Sequence, residues 1–190
     1  MTPARFHIVR PRAGEIACGD GVLVRDDGPR TLLALVDALG HGPAAAEVTA
    51  AALACLSRVA IGAGPIAVLS ELHAALRGTR GAAAMVCVLE RDRLFGCGVG
   101  NVDLRSDPTS VPVVLSPGIL GGSVRAFRAF EGAAPAGTRV VLFSDGVSST
   151  RLRLEDLRAL DAERACRTIF DRYAYSHDDA SVLVADVRGS

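Results

Sequence analysis

Four aspartates, each beside a turn and at one end of an apolar run, carry the chemistry that this chain of 190 residues can do. Asp37 closes the run 31–36 and is followed at once by Ala38, Leu39, Gly40, His41 and Gly42. Asp145 follows the run 140–144 and precedes Gly146. Asp178, paired with Asp179, opens the last apolar run, and Asp20 lies in Cys18-Gly19-Asp20-Gly21. If such side chains converge, their repulsion is large: two charges about 4 Å apart cost about 4 kcal/mol even at an effective dielectric of about 20. The cluster then needs protons or cations, and an all-oxygen donor set selects magnesium or manganese over zinc. No His or Cys pair has zinc spacing. Two such ions can share a bridging water, lower its pKa and aim the resulting hydroxide in line at phosphorus, with no covalent intermediate on the protein. Metal-assisted hydrolysis is the leading reading.

The positioning elements follow from hydrophobic period. Strands are predicted at 6–10, 22–26 and 31–36, the last apolar on both faces. Pro43 suits a first helical position. The Ala- and Leu-rich run 44–60 reads as a helix, closed by Gly62 and Gly64. A second helix is expected over 65–77, with Ile66, Leu69, Leu72, His73 and Leu76 on one face. Strands follow at 83–90 and 94–99, a hairpin about residues 91–93, and then at 102–105, 111–115, 124–130 and 139–143. Helical segments at 154–160 and 162–175 precede a final strand at 181–187. With no regular βαβα alternation, a doubly wound parallel sheet is excluded. An α+β arrangement of two antiparallel sheets with helices outside fits, and the length predicts a single domain over 1–190.

Composition narrows the class. Lys plus Arg and Asp plus Glu number 21 each, so the basic surplus expected of a nucleic-acid binder is absent. All basic residues are arginine, read as genome composition first and phosphate recognition second. The longest apolar stretch, near 44–60, contains Glu47, Thr49 and Arg58, so it reads as a buried helix and no membrane span is expected. The N-terminus lacks a signal-peptide pattern. Five cysteines, an odd number without a CxxC pair, fit a reduced cytoplasm. Cys87 and Arg93 satisfy a C-x5-R spacing, but a strand end and charged turn between them cannot supply the helix N-terminus that cradles a phosphate.

The pieces Gly19-Asp20, Asp37 to Gly42, Phe143 to Gly146 and Asp178 to Ser181 occur in an order that resembles the metal-dependent protein phosphatases of the 2C type (PPM), and within them the SpoIIE-like bacterial branch. The resemblance implies an αββα sandwich with two Mn2+ or Mg2+ ions in its cleft. It implies that Asp37 bridges the ions, that Asp20, Asp145 and Asp178 are further ligands, and that Ala38 contributes a backbone carbonyl where the family usually has glycine. Together with Gly98-Val99-Gly100-Asn101-Val102, the short chain looks most like the stand-alone phosphatases of stress-signalling partner-switching systems. That likeness implies a phosphoserine or phosphothreonine substrate on a STAS-domain regulator of a stressosome, and a monomeric enzyme.

Plainer readings stand beside these. Asp37 could cap the helix near Pro43, Asp145 and Asp178 could be turn residues, and Asp20 could sit in a hairpin turn. His41 could relay a proton to the leaving group or merely pack in its loop, and Asn101 could be a turn residue or a contact near the cleft. His73 and His177 read as structural or exposed. For the whole chain, the alternatives are a catalytically inactive binding module of this fold, hinted at by Ala38, and a hydrolase of small phosphoesters.

Overall fold

The computed structural model describes residues 2–189; Met1 and Ser190, the ends of the expected domain, lie outside the described residues. The order of elements is β1 (Ala4–Arg10), β2 (Asp20–Asp27), β3 (Arg30–Ala38), α1 (Pro43–Leu56), α2 (Pro65–Ala75), β4 (Ala82–Glu90), β5 (Arg93–Val99), β6 (Asp103–Asp107), β7 (Leu115–Ser116), β8 (Ala129–Ala133), β9 (Arg139–Phe143), α3 (Ala162–Tyr173) and β10 (Ala180–Asp186). One sheet runs β1-β10-β9-β6. The other runs β2-β3-β4-β5-β7, with β8 also on β5. All pairings are antiparallel except β5 with β7.

Strand alternation builds three apolar layers. In β3, Leu33 and Leu35 enter the space between the sheets, while Leu32, Ala34, Val36 and Ala38 meet α1 and α2 on the other face. In β9, Val140 and Leu142 enter the intersheet space, while Val141 and Phe143 pack toward α3. A strand flanked by core on both faces has no polar side, which is why β3, β4, β9 and β10 read as continuous apolar runs. Helices outside two sheets make the expected αββα sandwich. Pro43 and Pro65 start α1 and α2 with φ already helical, and Asp161 caps α3 by accepting from the Arg164 N–H at 2.8 Å.

Several expected boundaries move. The first helix stops at Leu56 rather than residue 60, because the Arg25 guanidinium takes the carbonyls of Ser57 and Val59 and the chain turns Val59 and Ile61 into the core. Ile66, expected on the buried face of α2, is exposed; Val68 is buried in its first turns instead. Of the strand expected at 111–115 only Leu115 pairs, in the two-residue β7 with Ser116, Pro112 lacking the N–H a ladder needs. The strand expected at 124–130 forms a ladder only from Ala129, where the Phe130 ring lies across Gly96 and takes the space of a side chain there; ahead of it Val124 makes a lone bridge with Gly118. The helical segment expected at 154–160 is a single 3-10 turn, Leu154–Leu157.

The turn after β9 is the tightest approach in the fold. A Cβ added at Gly146 would stand 1.8 Å from the Asp179 carbonyl oxygen, so the backbone itself must move. Overpacking of this kind costs about 1–3 kcal/mol, so Gly146→Ala is expected to lower the melting temperature by about 5 °C. A variant that melts within a degree of wild type contradicts this packing.

Candidate metal centre

The intersheet layer changes from apolar to acidic at one end. Asp37 has the same parity on β3 as Leu33 and Leu35, and its cross-strand partners are Asp20 on β2 and Ala83 on β4. On the other sheet, β9 runs out through Ser144 into Asp145, and β10 is entered through Asp178 and Asp179. Asp37, Asp145 and Asp178 thereby line a cleft of about 380 Å3, together with His41, Ala83 and Asn101. Asp20 lies deeper, 4% exposed, as the cross-strand neighbour of Asp37.

Two hydrogen-bond chains fix these groups. Asp179 Oδ1 accepts from the Arg12 N–H and its Oδ2 from the Gly19 N–H, each at 2.7 Å. The Gly19 carbonyl in turn accepts from the Ala38 N–H at 3.0 Å and from the Thr49 hydroxyl. One buried carboxylate thus clasps the entry to β10, the loop before β2 and the end of β3. Across the sheets, the Ser144 hydroxyl donates to Asp20 Oδ2 at 2.6 Å and accepts from the Ser181 N–H at 3.0 Å. Asn101 Nδ2 donates to Asp145 Oδ2.

The charge at this end is uncompensated. Burial, then Asp20, Asp145, Asp178 and Asp179, push the Asp37 carboxyl up to about 8. Burial pushes Asp20 up to about 7, against the stabilising hydroxyl of Ser144. Asp145 is also raised, by burial and then by Asp178, with hydrogen bonds from Asn101 and Asp37 opposing. Carboxylates that hold protons near neutral pH for want of a counter-charge suit a divalent cation. Among the described residues, no three His, Cys, Asp or Glu side chains stand close enough together to hold a metal ion as they are placed. The aspartates instead border an open cleft, and hard oxygen donors that leave places for water fit magnesium or manganese.

A family model described as Stage II sporulation protein E (SpoIIE) matches residues 27–188. The chain belongs to the SpoIIE family of PP2C-type serine/threonine phosphatases. Phosphoserine phosphatase RsbX of Bacillus subtilis (strain 168) is 24% identical over 148 residues, 75% of this chain and 73% of RsbX. RsbX solved in complex with magnesium superposes with a TM-score of 0.82 at 20% identity, over 96% of this chain and 94% of that one. A chain solved in work on the bacterial stressosome, as a modular system adapted to control secondary messenger signaling, reaches a TM-score of 0.88 at 30% identity, covering 97% of this chain and all of that one. The catalytic domain of the serine/threonine phosphatase PstP, in complex with two manganese ions, gives 0.75 at 20% identity over 99% of both chains. These likenesses agree with the sandwich read from the sequence.

Of the residues singled out in the sequence, Asp37, Asp145 and Asp178 meet at the cleft and Asp20 stands behind them. The Ala38 methyl is 1% exposed and packs in the core under α1, so it fits where glycine is usual. Asn101 is a cleft residue, and His73 is structural, its Nδ1 accepting from the Gly121 N–H. Cys87 is buried in β4, and Arg93 pairs with Glu131 at 2.9 Å. Sequence reasoning missed the clasp of Asp179, the bridge of Ser144 and the partner of His41, which is Glu15 at 2.7 Å. Only the doubled Asp178-Asp179 gave a signal, since two adjacent acids entering a buried strand need separate reasons to be there.

Because folding raises the proton affinity of Asp37 from an ordinary value of 3.8 to about 8, the metal-free fold is favoured at low pH and loses stability as pH rises through that window. Asp37→Asn removes this contribution. In EDTA, the variant is therefore expected to gain on wild type between pH 5 and pH 8 in thermal melts, and saturating manganese to reverse the order at pH 8. A variant that melts below wild type in EDTA at pH 8 contradicts the electrostatic reading.

Proposed function

We propose that this chain, acting as one domain over residues 1–190, hydrolyses phosphoserine or phosphothreonine on a STAS-domain regulator of a partner-switching or stressosome pathway. The observation that carries the reading is the convergence of Asp37, Asp145 and Asp178 on one cleft, over Asp20, in a SpoIIE-family chain. In this reading Asp20, Asp37, Asp145, Asp178 and the Ala38 carbonyl hold two Mn2+ or Mg2+ ions. When bound, the ions supply Lewis acidity toward the phosphoryl oxygens and lower the pKa of water to a nucleophilic range. The protein's own part is placement: Asn101 orients Asp145, Ser144 orients Asp20, and Asp179 keeps the strands bearing Asp37 and Asp178 in register. Oriented carboxylates cost no reorganisation when charge moves in the transition state.

The magnesium complex of RsbX and the two-manganese complex of PstP support the ion choice, and the likeness to RsbX and to the stressosome-related chain supports the partner class. Five free thiols are consistent with a cytoplasmic enzyme. No helix among the described residues is long and apolar enough to cross a membrane. Neither a membrane nor a nucleic acid enters the reading, and the enzyme acts as a monomer. The alternative of an inactive docking module loses the support it drew from Ala38, whose methyl the core accommodates.

The test is p-nitrophenyl phosphate turnover with and without manganese. Loss of an outer-shell partner of a metal site already costs 10–100-fold, so Asp37→Asn is expected to cost at least about 100-fold. Metal-independent turnover, or a fully active Asp37→Asn, contradicts the proposal. A wild type that hydrolyses small metabolites faster than a serine-phosphorylated STAS protein identifies a small-phosphoester hydrolase instead.

A further inference from the structure

One lip of the cleft carries a cation that the proposed chemistry does not use. Arg80 is exposed and stands just before β4; its guanidinium donates to the Leu39 carbonyl at 3.1 Å, and a Cβ added at Gly40 would come within 2.7 Å of it. Among the described residues it belongs to no ion pair. The backbone around it is fixed. Gly81 is buried with φ +83°, and a Cβ there would stand 2.5 Å from both Ile119 Cγ2 and the Leu120 carbonyl oxygen. The Gly81 carbonyl accepts from the Leu39 N–H at 3.0 Å, and its N–H donates to Thr79 Oγ1 at 3.0 Å. Ala82 exchanges both backbone bonds with Leu120, at 3.2 and 2.9 Å. Arg80 is therefore held between Leu39 and Ile119, which are 39% and 37% exposed and line the cleft.

Apart from His41, no basic side chain lines the cleft, so an acidic side chain carried in beside a phosphoserine finds its permanent cation at Arg80. Leu39 and Gly40 follow Asp37 by two and three positions, so at about 3.3 Å per residue they stand no more than about 10 Å outward from it. An extended substrate has the same rise, which sets Arg80 opposite a residue two or three positions from the phosphorylated one. We propose that Arg80, flanked by Leu39 and Ile119, is a specificity subsite that binds an acidic side chain at that separation in a protein substrate. The inference rests on the phosphatase reading above. As the substrate covers Leu39 and Ile119, water is excluded and the ion pair strengthens. The pinned backbone lowers the entropy lost when the pair forms.

The test uses the manganese-loaded protein and phosphoserine peptides of neutral background, each with a single Glu two or three positions before or after the phosphoserine. In the wild type, Glu at one of these positions is expected to raise kcat/KM by about fivefold over the neutral peptide, the upper range for an exposed ion pair. The gain should come through KM and fade at high salt. Arg80→Glu should lose this preference and favour Arg at the same position, a reversal that a merely structural arginine would not give. The Glu peptide with a non-hydrolysable phosphonate in place of the phosphate should bind Arg80→Glu at least about fivefold more weakly in fluorescence anisotropy. Equal rates on all peptides in the wild type, or a preference for Glu that survives Arg80→Glu, overturns the proposal. A loss in Arg80→Glu shared equally by every peptide and by p-nitrophenyl phosphate overturns it too, since the arginine then serves the phosphoryl group or the fold. A wild type that hydrolyses nothing, yet binds the phosphonate peptide through Arg80, defeats the phosphatase reading and upholds the subsite.

Discussion

Concentrated negative charge at the end of an otherwise apolar intersheet layer is the constraint from which the rest follows. Leu33, Leu35, Leu142 and Leu183 fill the interior of that layer; the next positions outward are Asp37 on β3, Ser181 on β10 and Ser144 just past the end of β9. The sandwich therefore brings carboxylates from β2, β3, β9 and β10 together by the same alternation that buries its leucines. The low dielectric that makes them costly as bare charges is what, in the proposed reading, suits them to a hard cation.

That arrangement works only if the two sheets stay in register where their ends diverge. Asp179 and Ser144 do this with two short polar chains, one joining β10 to β2 and β3, the other joining β9 and β10 to Asp20. At Asp179 and Ser144 the bonding is complete: each oxygen of Asp179 accepts a backbone N–H, and the Ser144 hydroxyl both donates and accepts, while the buried Ser181 hydroxyl beside them has no partner among the described residues. A satisfied buried network of this sort specifies one geometry, whereas a half-satisfied one destabilises the fold. Of the two adjacent aspartates, the second is thereby occupied with structure, and the first is left facing the cleft.

What could be read in the sequence was local. Apolar runs that end in an aspartate and a turn are visible without a structure, so the strands, the sandwich and Asp37, Asp145 and Asp178 were legible. The depth of Asp20 was not, because it depends on which residue of β3 lies opposite. Ile66 was misassigned because a helical period defines a face but not where that face begins once Pro65 has set the first turn. The strands expected at 111–115 and 124–130 shrink to ladders at Leu115–Ser116 and Ala129–Ala133, because pairing there is decided by Pro112 and by the Phe130 ring over Gly96, not by propensity. Glu15 gave no signal at all: it meets His41 across a separation of 26 residues, through a loop held by other loops.

The most direct measurement is the anomalous difference density of a crystal grown with manganese. Two peaks about 3.5–4 Å apart in the cleft, within coordination distance of Asp37 and flanked by Asp20, Asp145 and Asp178, are the expected result. An empty cleft at saturating manganese, or ions held elsewhere on the surface, would contradict the assignment of these aspartates as a metal centre.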